Sequence, residues 1–382
     1  MNRFAFFFFA YYAYIGAFNP YVSLYFADCG IDVDHVAILM LLMHVTRIFG
    51  PSLWAWVADH AESRLAVLRV TAIIALLLFA GMFFASTFMQ FFIIMLALNT
   101  CTGAQAPLSD ALILHELRGD LSRYGRMRLW GSVGFIVATA GVGKLLDLYG
   151  IHVLPWLAWG LLAFVLLASV RMRETPHAPA IEVPHTMLAL VRRPEVASFF
   201  VSTFMMIAAH AALYVFYSLY LEQIGYSKTV IGLMWALGVV VEVVFFYYQA
   251  PLFRRFGIRR VMLACLALAA VRFLMIGLGA QSLVCLLLAQ VLHAATFAGH
   301  HSSSVLTLQR WFSGPLQARG QALYVSISYG LGGTIGTLLL KNLWSDVDGG
   351  QVFVAAAGMS LLGLIAAWWS YRLQAQMALR TV

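Results

Sequence analysis

Charge is what this sequence has least of. Only 10% of its 382 residues are Asp, Glu, Lys or Arg, against 62% hydrophobic. Soluble chains carry roughly 25% charged residues, so too few are present here to coat a water-facing surface. Cysteine is also scarce. Cys29, Cys101, Cys265 and Cys285 show no CxxC spacing and mostly fall inside apolar runs, which argues against a disulfide framework and a metal site. The alternating segments of about ten residues that mark a transmembrane barrel are absent. There is no GxSxG or HExxH pattern, so His300-His301-Ser302-Ser303-Ser304 stands without the partners of a hydrolase. Gly141-Val142-Gly143-Lys144 lacks the Walker spacing. Enzyme chemistry and ATP-driven transport have no support, and no cofactor is expected.

What is present is long apolar runs, such as 65–89 and 196–221. Runs of about 20 apolar residues cross the hydrocarbon core as helices, because lipid offers the backbone no hydrogen-bond partners. The runs predict twelve spans: 4–27, 34–57, 66–88, 90–114, 128–149, 152–171, 196–221, 229–250, 261–280, 282–308, 320–341 and 351–372. The N-terminal run resembles a signal peptide but continues to about Phe26, too long for an h-region, and reads as a retained first helix.

The net charge of +8 does not point to nucleic acid, because the basic residues gather at alternate span ends. Nineteen arginines lie on the N-terminal side, against Lys144, Lys228 and Lys341 on the other. The positive-inside rule then places both termini in the cytoplasm. The proline-rich segment Met172–Glu195 reads as a cytoplasmic linker between halves 1–171 and 196–382. The halves repeat at an offset of 195 residues. Ser23-Leu24-Tyr25 recurs as Ser218-Leu219-Tyr220, Gly30 as Gly225, and Val36, Ile38 and Leu39 as Ile231, Leu233 and Met234. A parallel six-span repeat is the plan expected when two halves rock about a central site. Gly131, Gly134, Gly141 and Gly143 in span 5, and Gly330, Gly332, Gly333 and Gly336 in span 11, read as close-packing surfaces.

These residues carry a resemblance to the major facilitator superfamily, within it to the lactose permease and phenylpropionate permease branch, over nearly the whole chain. Phe6 to Tyr12 through Gly16-Ala17-Phe18-Asn19-Pro20 is similar to that branch's first helix. Ala106-Pro107-Leu108-Ser109-Asp110-Ala111 is similar to its fourth-helix motif, and Tyr124 to Gly134 to its fifth-helix entry, with Asp110 and Arg128 at the family's 18-residue spacing. Val271-Arg272 and Leu292-His293 resemble the arginine and histidine of helices nine and ten. Ala209-His210-Ala211-Ala212, Gly238 to Glu242 and His293 to Phe297 resemble the phenylpropionate pattern. Of the superfamily's loop after helix two, Asp59 and Arg64 remain as a gating pair. Two positions depart from lactose permease: its helix-ten glutamate is Thr296 here and its lysine is Gln290. A sugar–proton mechanism therefore does not carry across.

The resemblance implies an all-α membrane protein of the major facilitator fold, with twelve transmembrane helices in two pseudo-symmetric six-helix halves. It is expected in the inner membrane of a bacterium, working as a monomer. A charge at the bilayer centre costs roughly 2.5–3.5 kcal/mol on insertion scales, so each intramembrane charge is a candidate site residue. Arg47, Arg128 and Arg272 outnumber Asp110 and Glu242 by one, and a guanidinium fork suits a carboxylate. Arg47, Asp110, Arg128, His210 and Arg272 are expected to bind substrate, and Glu242 and His293 to carry the coupling proton. The expected substrate is a small, anionic organic acid such as an aromatic carboxylate, taken up with protons. Sugars, oligosaccharides, nucleosides and drug export are the alternatives.

Overall fold

A computed structural model describes residues 3–61, 63–117, 121–174, 188–312 and 316–380. Helix is the regular structure of all of them, and no strand occurs among the described residues. In chain order the helices are α1 (Arg3–Phe18), α2 (Val22–Asp28), α3 (Val33–His60), α4 (Arg64–Ala80), α5 (Phe88–Thr102), α6 (Gln105–Glu116), α7 (Leu121–Tyr149), α8 (Leu154–Val170), the short α9 (Leu188–Val191), α10 (Pro194–Ala211), α11 (Tyr217–Gln223), α12 (Lys228–Gly279), α13 (Leu283–Val291), α14 (His300–Trp311), α15 (Gln317–Tyr324), α16 (Gly333–Lys341) and α17 (Gln351–Arg380).

Ten helical stretches among the described residues are long and apolar enough to cross a bilayer. Two local features reconcile ten with twelve. The stretch Lys228–Gly279 holds two expected spans, joined where Gly257 leaves helical geometry at φ 74°. The first expected span is divided into α1 and α2, each too short to count alone. Pro20 explains that division: it lacks an N–H and disfavours the helical conformation at Asn19. A second break, at Gly103, separates α5 from α6 within what reads in sequence as one span.

Contacts divide the chain into two compact units. One comprises Met1–Ile181 with Leu221–Val240, the other Glu182–Tyr220 with Val241–Val382. In the first unit α1 packs on α7 through glycine. Gly134 lies against the Phe9 backbone and Gly16 against Phe135, and the Thr139 hydroxyl donates to the Gly16 carbonyl at 2.8 Å. Asp147 at the end of α7 accepts from the Lys228 and Thr229 backbone N–H groups at 2.9 and 2.8 Å. A carboxylate there meets the positive end of the α12 dipole. In the second unit α10 packs on α16 in the same style. Gly332 and Gly336 face the Phe204 and Ala208 backbone, and the Ser328 hydroxyl donates to Thr203 at 2.8 Å. Close approach of this kind needs small residues. Gly141 differs from these: a side chain there would meet open space.

The sequence repeat returns as repeated backbone geometry. Gly30 and Gly225 both take positive φ, at 81° and 94°. Ile31 N–H donates to the Phe26 carbonyl at 3.1 Å, and Tyr226 N–H to Leu221 at 2.9 Å, each pair displaced by the same 195 residues. Asp32 then caps α3 through His35 N–H, as Ser227 caps α12 through Val230 N–H.

Candidate functional site

In the second unit a group of polar side chains surrounds Arg272, which is fully buried. Three acceptors hold its guanidinium: the Ala289 carbonyl at 3.0 Å, the Thr296 hydroxyl at 3.2 Å and the Gln290 amide oxygen at 3.3 Å. Gln290 in turn donates to the Tyr217 hydroxyl. Thr296 and Gln290 are the two positions that depart from lactose permease. Here they supply neutral acceptors to a buried cation, which is what satisfies it in a low-dielectric setting.

Glu242, on α12, pairs with His293 between α13 and α14. Its Oε1 lies 2.6 Å from His293 Nε2, with side-chain exposures of 15% and 9%. Arg272 and His301 lie within electrostatic range of the carboxylate. Among the described residues the other nitrogen of His293, Nδ1, has no hydrogen-bond partner. The His293 ring stacks on Phe297 at 5.4 Å, and His210 stands 6.4 Å from His293 and 5.3 Å from Phe273. His210 Nδ1 contacts the Met206 carbonyl at 2.8 Å, which makes Nδ1 the donor and leaves Nε2, without a partner among the described residues, as an acceptor. His210, Arg272 and His293 are buried and Glu242 is half-buried, and the four form one cluster walled by aromatic rings.

Local backbone geometry places these groups. Residues Ala294–Gly299, directly after His293, form a π-helical segment, and so do Ala212–Phe216, just after His210. A third, Val325–Gly332, follows Tyr324. One extra residue per turn rotates the flanking side chains relative to an α-helix, and such segments concentrate at functional sites.

The first unit holds a separate polar cluster. Arg128 on α7 donates to the Tyr12 hydroxyl, and its Cζ sits 4.3 Å over the Tyr12 ring and 5.3 Å from Phe8. Its Nε lies 3.6 Å from Asp110 Oδ1, with side-chain exposures of 33% and 30%. Tyr124 donates to the same Asp110 oxygen at 3.0 Å. Gly131, one turn on, leaves room for the Tyr12 ring and Arg128. Arg47 is exposed on α3, within electrostatic range of Tyr11 and Tyr12. The expected substrate residues therefore fall into two groups: Arg47, Asp110 and Arg128 in one unit, His210 and Arg272 in the other.

Of the expected gating pair, the Asp59 side chain lies outside the described residues. Arg64 begins α4, where Glu174 accepts from the Arg64 and Leu65 backbone N–H groups at 3.1 Å each and from the Ser63 hydroxyl. Arg69 reaches back to the Ser169, Val170 and Met172 carbonyls at 3.3, 3.1 and 2.9 Å. The start of α4 and the end of α8 are thereby locked together. Most of the expected linker, residues 175–187, lies outside the described residues.

Sequence reasoning did not assign Tyr124, Gln290 or Thr296 to the clusters. The signal for the last two was present, since they occupy positions that the resembling family fills with charge.

Known proteins match the chain along nearly its whole length. The model of the MFS_1 like family matches residues 1–355. The chain is 30% identical over 358 residues to the probable 3-phenylpropionic acid transporter of Escherichia coli (strain K12), covering 91% of this chain and 92% of that one. It is 24% identical over 362 residues to the maltose permease of Geobacillus stearothermophilus, covering 94% and 91%. The crystal structure of the nucleoside transporter NupG superposes with a TM-score of 0.84 at 19% identity, over 97% of this chain and 99% of that one.

Proposed function

We propose, from the premise that the chain belongs to the MFS_1-like family of the major facilitator superfamily, that it takes up a small organic acid together with protons. Membership makes this a multi-pass membrane protein of the major facilitator fold, a secondary transporter and not an enzyme. We place the protein in the inner membrane of a bacterium with both termini in the cytoplasm, acting as a monomer on an aromatic carboxylate of the phenylpropionate kind. The likeness to a 3-phenylpropionic acid transporter supports that substrate class.

The observation that carries the proposal is the Glu242–His293 pair at 2.6 Å. A carboxylate and an imidazole in contact can hold one proton between them or two. Arg272 is already held by three acceptors, so its role is to set the field around the pair. The substrate carboxylate falls instead to Arg128, whose contact with Asp110 is longer and whose side chain is part-exposed. The Tyr12 and Phe8 rings beside that guanidinium suit an aromatic body. Alternating access brings the two clusters into one cycle: substrate engages Arg128 and Arg47, and the proton travels on Glu242 and His293. Asp59 and Arg64 belong to the gate. A sugar or nucleoside is the competing substrate, since Tyr12, Asp110 and Tyr124 could equally bond hydroxyls.

Glu242→Gln tests the proposal in proteoliposomes with labelled 3-phenylpropionate. The variant should lose accumulation driven by a proton gradient and keep exchange of substrate across the membrane, because exchange needs no net proton movement. Uphill transport that survives the substitution removes Glu242 from the mechanism. A panel with maltose and uridine as competitors decides the substrate class.

A further inference from the structure

One surface of the second unit has a composition that transport does not use. Leu263 on α12 and Leu364, Ile365 and Trp368 on α17 line an apolar groove of about 410 Å³. The two helices run antiparallel. Gly277 stands against Gly350 and Val354, and Gly363 against Leu266. Continuing that register, one residue back on α12 for each residue forward on α17, brings Arg259 level with Ser370 and Arg260 with Trp369. Tyr371 lies within electrostatic range of Arg259, as the register requires.

Three cations therefore rim one end of the groove. Arg259 and Arg260 precede Leu263 by four and three residues, and Arg372 follows Trp368 by four, so each is one helical turn from a lining residue. All three are exposed. The Arg372 guanidinium carbon lies 5.2 Å from the Trp368 ring and 5.9 Å from Trp369, and both tryptophans are exposed. Exposed tryptophan beside arginine marks the level of the lipid headgroups. The surrounding sequence supplies no counter-charge: from Val243 to Ser345 the chain contains neither Asp nor Glu. Glu195, nearby through the bond from Ser370 to its carbonyl, is buried.

We propose that this groove holds an acyl chain of an anionic phospholipid whose phosphate rests on Arg259, Arg260 and Arg372. The chemistry of the site divides as the lipid does. The groove is lined by apolar side chains, of which Ile365 and Trp368 are exposed. The arginines stand where the acyl chain meets the headgroup, and guanidinium binds phosphate through paired N–H donors. A basic rim at the end of a gap between membrane helices is a recurrent design for such lipids. A neutral or zwitterionic headgroup would leave the three charges uncompensated. A phosphate without chains would leave the groove unfilled.

Native mass spectrometry of the purified full-length protein tests the assignment, with phosphatidylglycerol and phosphatidylethanolamine titrated separately. Wild type should retain phosphatidylglycerol in preference to phosphatidylethanolamine. The triple substitution Arg259→Gln, Arg260→Gln and Arg372→Gln should lower its occupancy by roughly ten-fold or more. The same three positions changed to Lys should retain most of the binding. Leu263→Trp, which fills the groove and leaves the charges, should displace the lipid as well. Equal retention of the two lipids by wild type would overturn the proposal. So would undiminished phosphatidylglycerol binding by the Gln variant, or competition by glycerol phosphate as effective as that of the intact lipid. If the Gln variant does not fold, the lipid preference of wild type and the Leu263→Trp result decide the matter without it.

Discussion

Gln290→Lys is the sharpest perturbation of the buried cluster. It puts back a charge that the resembling lactose permease has and this chain lacks. Gln290 accepts from Arg272 at 3.3 Å and donates to the Tyr217 hydroxyl. Lysine removes the acceptor and sets an ammonium beside the guanidinium. A lost bond to a charged donor costs about 1.5–3 kcal/mol. Two like charges about 4 Å apart repel by about 4 kcal/mol at an effective dielectric of 20. Together these approach the whole stability of many domains, roughly 5–15 kcal/mol. The single variant should be recovered in low yield, with a broad unfolding transition in detergent. Thr296→Glu in the same chain should restore much of the loss. Thr296 already accepts from the other arm of Arg272 at 3.2 Å, so a carboxylate there neutralises the added charge. Overpacking by the larger side chain costs about 1–3 kcal/mol, but a double-mutant cycle separates that cost from the coupling. Thermal unfolding of parent, both singles and the double is the assay. A coupling of about 2 kcal/mol or more in favour of the double is expected. If Gln290→Lys alone unfolds with its parent, or the two changes add without coupling, Arg272 is not held as described.

Two further outcomes are expected. Gly336→Leu should abolish folded yield, because the new side chain would strike the Ala208 backbone, whereas Gly141→Leu, facing open space, should leave thermal stability unchanged. Equal effects at the two sites would refute the assignment of α10–α16 as a close-packed seam. Reporter fusions within 175–187 and after Arg380 should report cytoplasm, and fusions near Asp32 and Asp346 the outside. A linker found outside would reverse the proposed orientation.

The spans were legible because a run length matched to the bilayer is a property of consecutive residues. The repeat was legible for the same reason, and it reappears as the paired glycine turns at Gly30 and Gly225. The break at Pro20 also has a local cause, but a hydropathy run passes over it, since Pro20 interrupts the backbone and not the apolar character. The π-helical segments had no such signal. Ala294-Ala295-Thr296-Phe297-Ala298-Gly299 reads as ordinary helix, and nothing in its composition marks the extra residue per turn. Pairing was the least legible level. Asp110 and Arg128 could be matched through a familiar spacing, and they meet at 3.6 Å. Counting intramembrane charges left the partners of Arg272 and Glu242 open; the structure gives Arg272 to Gln290, Thr296 and Ala289 and sets Glu242 in contact with His293. That pairing bears on the proposed mechanism. A carboxylate bonded to arginine faces a cation that never releases its proton. A carboxylate bonded to histidine faces a group that can both take up and release one. By satisfying Arg272 with neutral acceptors, Thr296 and Gln290 free Glu242 for a partner that can titrate. The two departures from the lactose permease pattern are therefore what would allow proton coupling to reside on Glu242 and His293.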